Sequence, residues 1–304
     1  MQHTDASPPS STARPPSAAA ALPSSLLTWY FVIVWGSGYL ATKTGLQYAA
    51  PFTFLTLRFA LGLACAALWV FIARPPLPRS WREFGHIAVA GLLMHAANLG
   101  GSHYAQYLHM SAGLAALILA LQPLLTAVLV STLANEKLRR NQWAGILLGL
   151  VGVGLVVGHK INLNDISLGA LVAVGVSLVA ITSGTLYQRK YCPQVDLRSA
   201  AVIQFAVCMV VMAPLGVLVE DFVIRWSWQM VASIVFLVIC GSILAVNALH
   251  TLMRRGAATR VTSLLYLTPI IAVLMELAFF GVVPDATMIA GMVIACLGVA
   301  LVNR

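Results

Sequence analysis

Long apolar runs alternate with short polar breaks along almost the whole chain. Ten runs lie at roughly 26–44, 52–73, 85–107, 111–133, 142–158, 168–189, 198–219, 229–252, 259–281 and 286–303. About 20 apolar residues cross the hydrocarbon core of a bilayer as a helix. The pattern therefore predicts an all-α integral membrane protein with ten transmembrane helices and no extramembrane domain. Residues 1–24 break the pattern, being rich in Pro, Ser and Ala. Such a segment has little to bury and reads as a disordered tail. It is not a secretory signal, because the first apolar run starts late and no clear cleavage site accompanies it.

Composition agrees. Of 304 residues, 60% are hydrophobic and 9% charged, with a mean hydropathy of +0.89; soluble domains carry about 25% charge. The sequence pI of 9.7 does not point to a nucleic-acid partner, since the charges are too few to form a basic face. They sort by side instead. With the N-terminus on one side, fourteen Lys and Arg fall there and three (Lys43, Lys160, Arg225) opposite, while Arg58 lies inside a span. The positive-inside rule then predicts cytoplasmic termini; the expected location is the inner (plasma) membrane. The five cysteines sit mostly in apolar runs and form neither a disulfide framework nor a metal pattern. No cofactor is expected.

An internal repeat is visible at a constant offset of 146. Ser37-Gly38 matches Ser183-Gly184, Phe59-Ala60 matches Phe205-Ala206, and Pro123 matches Pro269. Ala144-Gly145 matches Ala290-Gly291, and Gly152-Val153 matches Gly298-Val299. Each half, 25–158 and 167–304, holds five predicted spans. An odd number makes the halves inverted repeats, an architecture of secondary transporters with the substrate near mid-membrane at the repeat interface. Pro123 and Pro269 interrupt the fourth and ninth spans near mid-depth, where a bend lines a cavity or acts as a hinge, or else is a plain kink of the kind common in transmembrane helices.

The segments "VWGSGYLATKTGL", "LRFALGL", "SAGLAALILALQPLLTAVLVSTLANEKL" and "AATRVTSLLYLTPIIAVLMELAFFG" resemble EamA-type members of the drug/metabolite transporter superfamily. The resemblance covers nearly everything after the tail. It implies ten helices, alternating access and, in many members, export of small metabolites; aromatic and other amino-acid exporters look most similar. One departure is that acidic Glu136, after the fourth span, has Val282 as its counterpart.

Polar groups inside a membrane span usually face a bundle interior or cavity. On a helical wheel His95, Asn98, Ser102, Gln106 and His109 fall within about 80° of each other. Asn247 and His250 gather in the eighth span, and Tyr104 is the repeat partner of His250. Gln122 and Tyr266 precede the two prolines; Trp35 and Tyr39 sit mid-span in the first helix. These are the candidate substrate contacts, each of which alternatively serves packing. Arg58 and Glu276 are deep charges at matching depth, which suggests a buried ion pair, with Lys43 a rival partner. The expected function is export of small amphiphilic metabolites, foremost amino acids, with the lipid bilayer and the solute as partners and the oligomeric state, monomer or weak homodimer, left open. A proton-coupled exporter of cationic drugs is the alternative and needs a free buried carboxylate. A membrane-embedded enzyme is remote, since the sequence holds no HExxH motif and no paired intramembrane aspartates.

Overall fold

The structure, a computed structural model, describes residues 24–134, 138–162, 165–245, 248, 251–252 and 267–302. The chain is all-helical there, its one β feature being an isolated antiparallel bridge between Ala49 and Ile224. Helix α1 spans Ser24–Gly45 and α2 Pro51–Ala73. Next come α3 (Trp81–Gly91), a π-helical segment (Leu92–Ala97) and α4 (Asn98–Tyr107), continuous with one another. They are followed by α5 (Ala112–Leu119), α6 (Gln122–Ala134), α7 (Arg140–Asn162), α8 (Leu168–Tyr191) and α9 (Leu197–Glu220). Helix α10 (Trp228–Val235) runs into a second π segment (Phe236–Leu244). Last are α11 (Thr268–Phe280) and α12 (Ala286–Val302).

Five helices are long and apolar enough to cross a membrane, Pro51–Ala73, Ala112–Thr132, Arg140–Ile161, Leu168–Tyr191 and Leu197–Glu220; Trp228–Leu244, Thr268–Phe280 and Ala286–Val302 are shorter apolar helices. The protein is a multi-pass membrane protein. Helix starts follow side-chain chemistry. Ser80, Ser111, Ser167 and Ser227 each accept a hydrogen bond from the backbone N–H three residues on, satisfying a donor that the helix cannot. The start of α2 is capped from afar: the Glu220 carboxylate, ending α9, accepts from the N–H groups of Phe52 (3.0 Å) and Thr53 (2.8 Å).

Local irregularities recur at the sequence offset. The first π segment, 92–97, moved by 146 becomes 238–243, inside the second. Helix α6 opens at Gln122 and α11 at Thr268, so that Pro123 and Pro269 are each the second residue of their helix. Proline is tolerated there because a first-turn N–H has no intrahelical acceptor to lose. The packing also repeats. Helix α2 lies on α9 and α7 on α12; α4 and the first π segment lie on α8, as α10 and the second lie on α1; α11 lies on α1, as α6 lies on α8.

The α7–α12 contact is reciprocal. A Cβ on Gly145 would stand 2.5 Å from the Gly298 carbonyl oxygen, and one on Gly152 would stand 2.5 Å from that of Gly291. Gly145 and Gly291 are repeat partners, as are Gly152 and Gly298. Each glycine therefore meets the partner of the other, the contact pattern of a two-fold interface. Backbones come this close only where both faces lack side chains.

Candidate functional site

The site forms where α2 meets α9 and the third-span rod crosses them. Phe59 of α2 and Phe205 of α9, repeat partners, stack with ring centroids 6.0 Å apart. One residue earlier on each helix are Arg58 and Gln204, also repeat partners. Both reach the same rod. The Gln204 carbonyl oxygen lies 3.3 Å from His95 Nε2 and its amide nitrogen 3.4 Å from Gln188 Oε1. Arg58 Nη1 lies 3.5 Å from His103 Nε2, which also has Thr42 Oγ1 at 3.4 Å. His103 is buried, and its Nδ1 has no hydrogen-bond partner among the described residues. Beside His95 a small cavity opens, lined by Arg58, Phe59, His95, Phe205, Val238 and Ser242 among others. Arg58 is its one residue of permanent charge among the described lining residues.

The predicted candidates divide. Arg58 and His95 line the cavity. Asn98 does not: its amide donates to the Met94 carbonyl (3.0 Å), and its Oδ1 accepts from Ser177 of α8 (2.7 Å). Ser102 is buried nearby. Gln106 is buried with both side-chain polar atoms unpaired among the described residues. His109 lies beyond α4 with a φ of 68°. Gln122 donates to Thr185 of α8 at 3.3 Å, which ties helices together. Tyr104, 37% exposed, stacks on Phe52, and Trp35, 41% exposed, packs on Phe31. Tyr39 packs against the main apolar cluster. Asn247, His250, Tyr266 and Glu136 lie outside the described residues.

The expected Arg58–Glu276 pair is corrected. Glu276 makes its ion pair with Lys43 of α1, the rival partner, and its other oxygen accepts the Gly113 N–H at 3.1 Å. Gly113 is in the first turn of α5, where N–H groups point outward and attract an anion. Helices α1, α5 and α11 share this contact, whereas Arg58 of α2 makes its side-chain contact with His103 of α4. Equal depth did not mean adjacency.

His103, Gln204, Gln188 and Thr42 were not foreseen as site residues. Gln204 carried a signal, as the polar repeat partner of Arg58. His103 fell off the predicted arc because the wheel assumed a uniform α-helix. A π turn bonds i→i+5 and delays the helical phase. Downstream of the Leu92–Ala97 segment, Asn98 is thereby turned toward α8, and His103 comes to the side of His95.

At the end of the bundle bearing the 281–285 connection, the two halves are tied by charge. Lys160 at the end of α7 lies 3.1 Å from Asp285 and 3.2 Å from Asp165. The Asp285 carboxyl sits below the usual carboxylate range: burial pushes it up, but hydrogen bonds from the Met288 N–H and Lys160, with the nearby positive charge, outweigh that. At the same end Arg225 N–H donates to the Tyr48 carbonyl at 2.8 Å, beside the Ala49–Ile224 bridge.

An all-helical multi-pass bundle with a polar cavity deep among its helices, built from two halves with matching breaks, is the frame of a membrane transporter. The EamA-like transporter family matches residues 23–158 and again 167–304. The chain belongs to that family, within the drug/metabolite transporter superfamily. It is 26% identical to the "Uncharacterized transporter YvbV" of Bacillus subtilis (strain 168), over 92% of this chain and 91% of that one. It is 28% identical to the "Uncharacterized inner membrane transporter YedA" of Escherichia coli (strain K12), over 82% and 80%. A "Probable amino-acid metabolite efflux pump" of Salmonella typhimurium is 25% identical over 88% and 90%. A solved crystal structure has the same fold, with a TM-score of 0.65 at 20% identity over 92% of this chain and 96% of that one.

Proposed function

We propose that the protein is a secondary active transporter exporting small amphiphilic metabolites, foremost amino acids including aromatic ones, across the inner membrane by alternating access. In this reading ten spans form two inverted five-helix halves, 25–158 and 167–304, behind a cytoplasmic tail of residues 1–24, and both termini are cytoplasmic. The observation that carries it is the cavity at the α2–α9 contact, flanked by repeat partners Phe59 and Phe205. A site lying where equivalent residues of two halves meet opens to either side when the halves exchange conformations. The reciprocal glycine contacts of α7 and α12 support the same axis. The name of the Salmonella relative favours amino-acid metabolites and outward transport, and that of the Escherichia coli relative favours the inner membrane. Cationic-drug antiport needs a free buried carboxylate, and Glu276 is already held by Lys43 and Gly113.

Reconstituted into proteoliposomes, the protein is expected to move labelled phenylalanine, tryptophan or a branched amino acid, faster with a proton gradient if coupling is to protons. Movement of cationic dyes with no amino-acid flux would replace this reading with the antiporter one.

A further inference from the structure

The cavity contains a cation that meets no opposite charge among the described residues. Among the described residues, Arg58 has no carboxylate within ion-pair distance, and its one side-chain hydrogen bond is the long contact with His103 at 3.5 Å. A guanidinium carries five N–H donors in a planar fork that matches a carboxylate. Placing such a group deep in a bundle without a partner is costly. Its surface is nevertheless only partly covered, and it lines the cavity. The rest of the described wall is neutral or apolar. His95 is engaged by Gln204, the Ser242 hydroxyl donates to the Leu237 carbonyl at 3.0 Å, and Phe59, Phe205 and Val238 are hydrocarbon. The repeat partner of Arg58 is uncharged Gln204, so the symmetric frame holds one positive charge, not two.

Resting on the transporter reading, we propose that Arg58 is the substrate's carboxylate anchor, and that the site selects small organic monoacids by their carboxylate and an aromatic or branched body rather than by an ammonium group. Deaminated acids then fit as well as amino acids do. Amines lacking the acid do not, since none of the described lining residues is acidic and Arg58 repels them. Phosphate esters and diacids bring a second negative charge for which no second lining cation is described.

The test is calorimetric titration of purified protein in lipid nanodiscs with three probes that share a phenylalkyl body, 3-phenylpropionate, phenylalanine and phenethylamine. Wild-type protein is expected to bind the two acids and to bind phenethylamine about tenfold or more weakly, the scale of a lost charged hydrogen bond. Arg58→Gln is expected to lose that preference by weakening the acids, and Arg58→Lys to retain part of it. Equal affinity for the acid and amine probes in wild-type protein overturns the proposal, even if neither variant folds. So does undiminished acid preference in Arg58→Gln, or no binding of either acid. Proteoliposome flux is scored separately. Acid binding with no flux counts against the transporter reading and leaves the Arg58 assignment standing, whereas flux without acid preference does the reverse.

Discussion

Lys43, Glu276 and Gly113 form a contact that no single helix contains. Glu276 is 2% exposed, so its carboxylate has exchanged water for one ammonium and one backbone N–H. Lys43 keeps contact with solvent and also lies 4.7 Å from the centre of the Phe280 ring. Removing one member of a buried pair strands the other, at a cost of about 3–5 kcal/mol, while replacing both by apolar groups is often near neutral. Lys43 is partly exposed, so the loss of Glu276, which strands it, should fall at the lower end of that range. Glu276→Leu leaves a cation that can reach water; Lys43→Leu leaves an anion that cannot. Thermal unfolding in detergent is therefore expected to show Lys43→Leu as the more damaging change and the double variant as recovering part of the loss. Simply additive losses would mean that the two side chains do not stabilise each other. Arg58→Leu should not rescue Glu276→Leu, because the two residues contact different helices.

Among elements, the α7–α12 contact is exacting, because backbone touches backbone. A side chain on Gly152 has no room, with the Ala295 nitrogen and the Gly291 oxygen both 2.5 Å from its Cβ. Gly154, on the same helix, meets nothing within 4 Å. Overpacking a close contact costs typically about 1–3 kcal/mol and more where backbone must move. Gly152→Leu is expected to lower the yield of folded protein and its melting temperature, whereas Gly154→Leu should leave both unchanged, since leucine favours helix more than glycine does. Equal effects would show that α7 and α12 do not approach as described. The pairs 145/291 and 152/298 were legible in the sequence as matches at a fixed offset, and apolar run length marked the helices. The prolines were legible as breaks, but their place in the second position of α6 and α11 was not. Neither π segment was legible, because a π turn depends on packing between helices and leaves no periodic mark. That is why His103 was missed and Asn98 was assigned to the cavity.

For the whole molecule, depth in the membrane can be counted from a sequence, whereas lateral neighbourhood cannot. Arg58 and Glu276 were counted to one depth, yet Glu276 pairs with Lys43 while Arg58 contacts His103. The same arrangement brings together the ties at the end bearing the 281–285 connection, which in the proposed orientation faces outward. There Lys160 at the end of α7 joins Asp285 before α12, and a backbone bridge joins Ala49 to Ile224. In the proposed alternating-access reading, these contacts hold that end shut while the cavity opens at the other. The Asp285 carboxyl has a folded pKa below its ordinary value of 3.8. A depressed pKa adds stability above the unfolded value, and this is lost as pH falls through the folded one. Closure at this end should therefore be intact at neutral pH and weaken on acidification below about pH 4. Asp285→Asn removes the charge at every pH, so its melting temperature should start lower than wild type's and the two curves should converge in acid. Met288 is buried and lines the space beneath this connection. In a background without the native cysteines, Met288→Cys should react faster with a membrane-impermeant thiol reagent at neutral pH when Lys160→Met or Asp285→Asn is added. Parallel melting curves together with unchanged labelling would show that the Lys160–Asp285 pair does not hold this end shut.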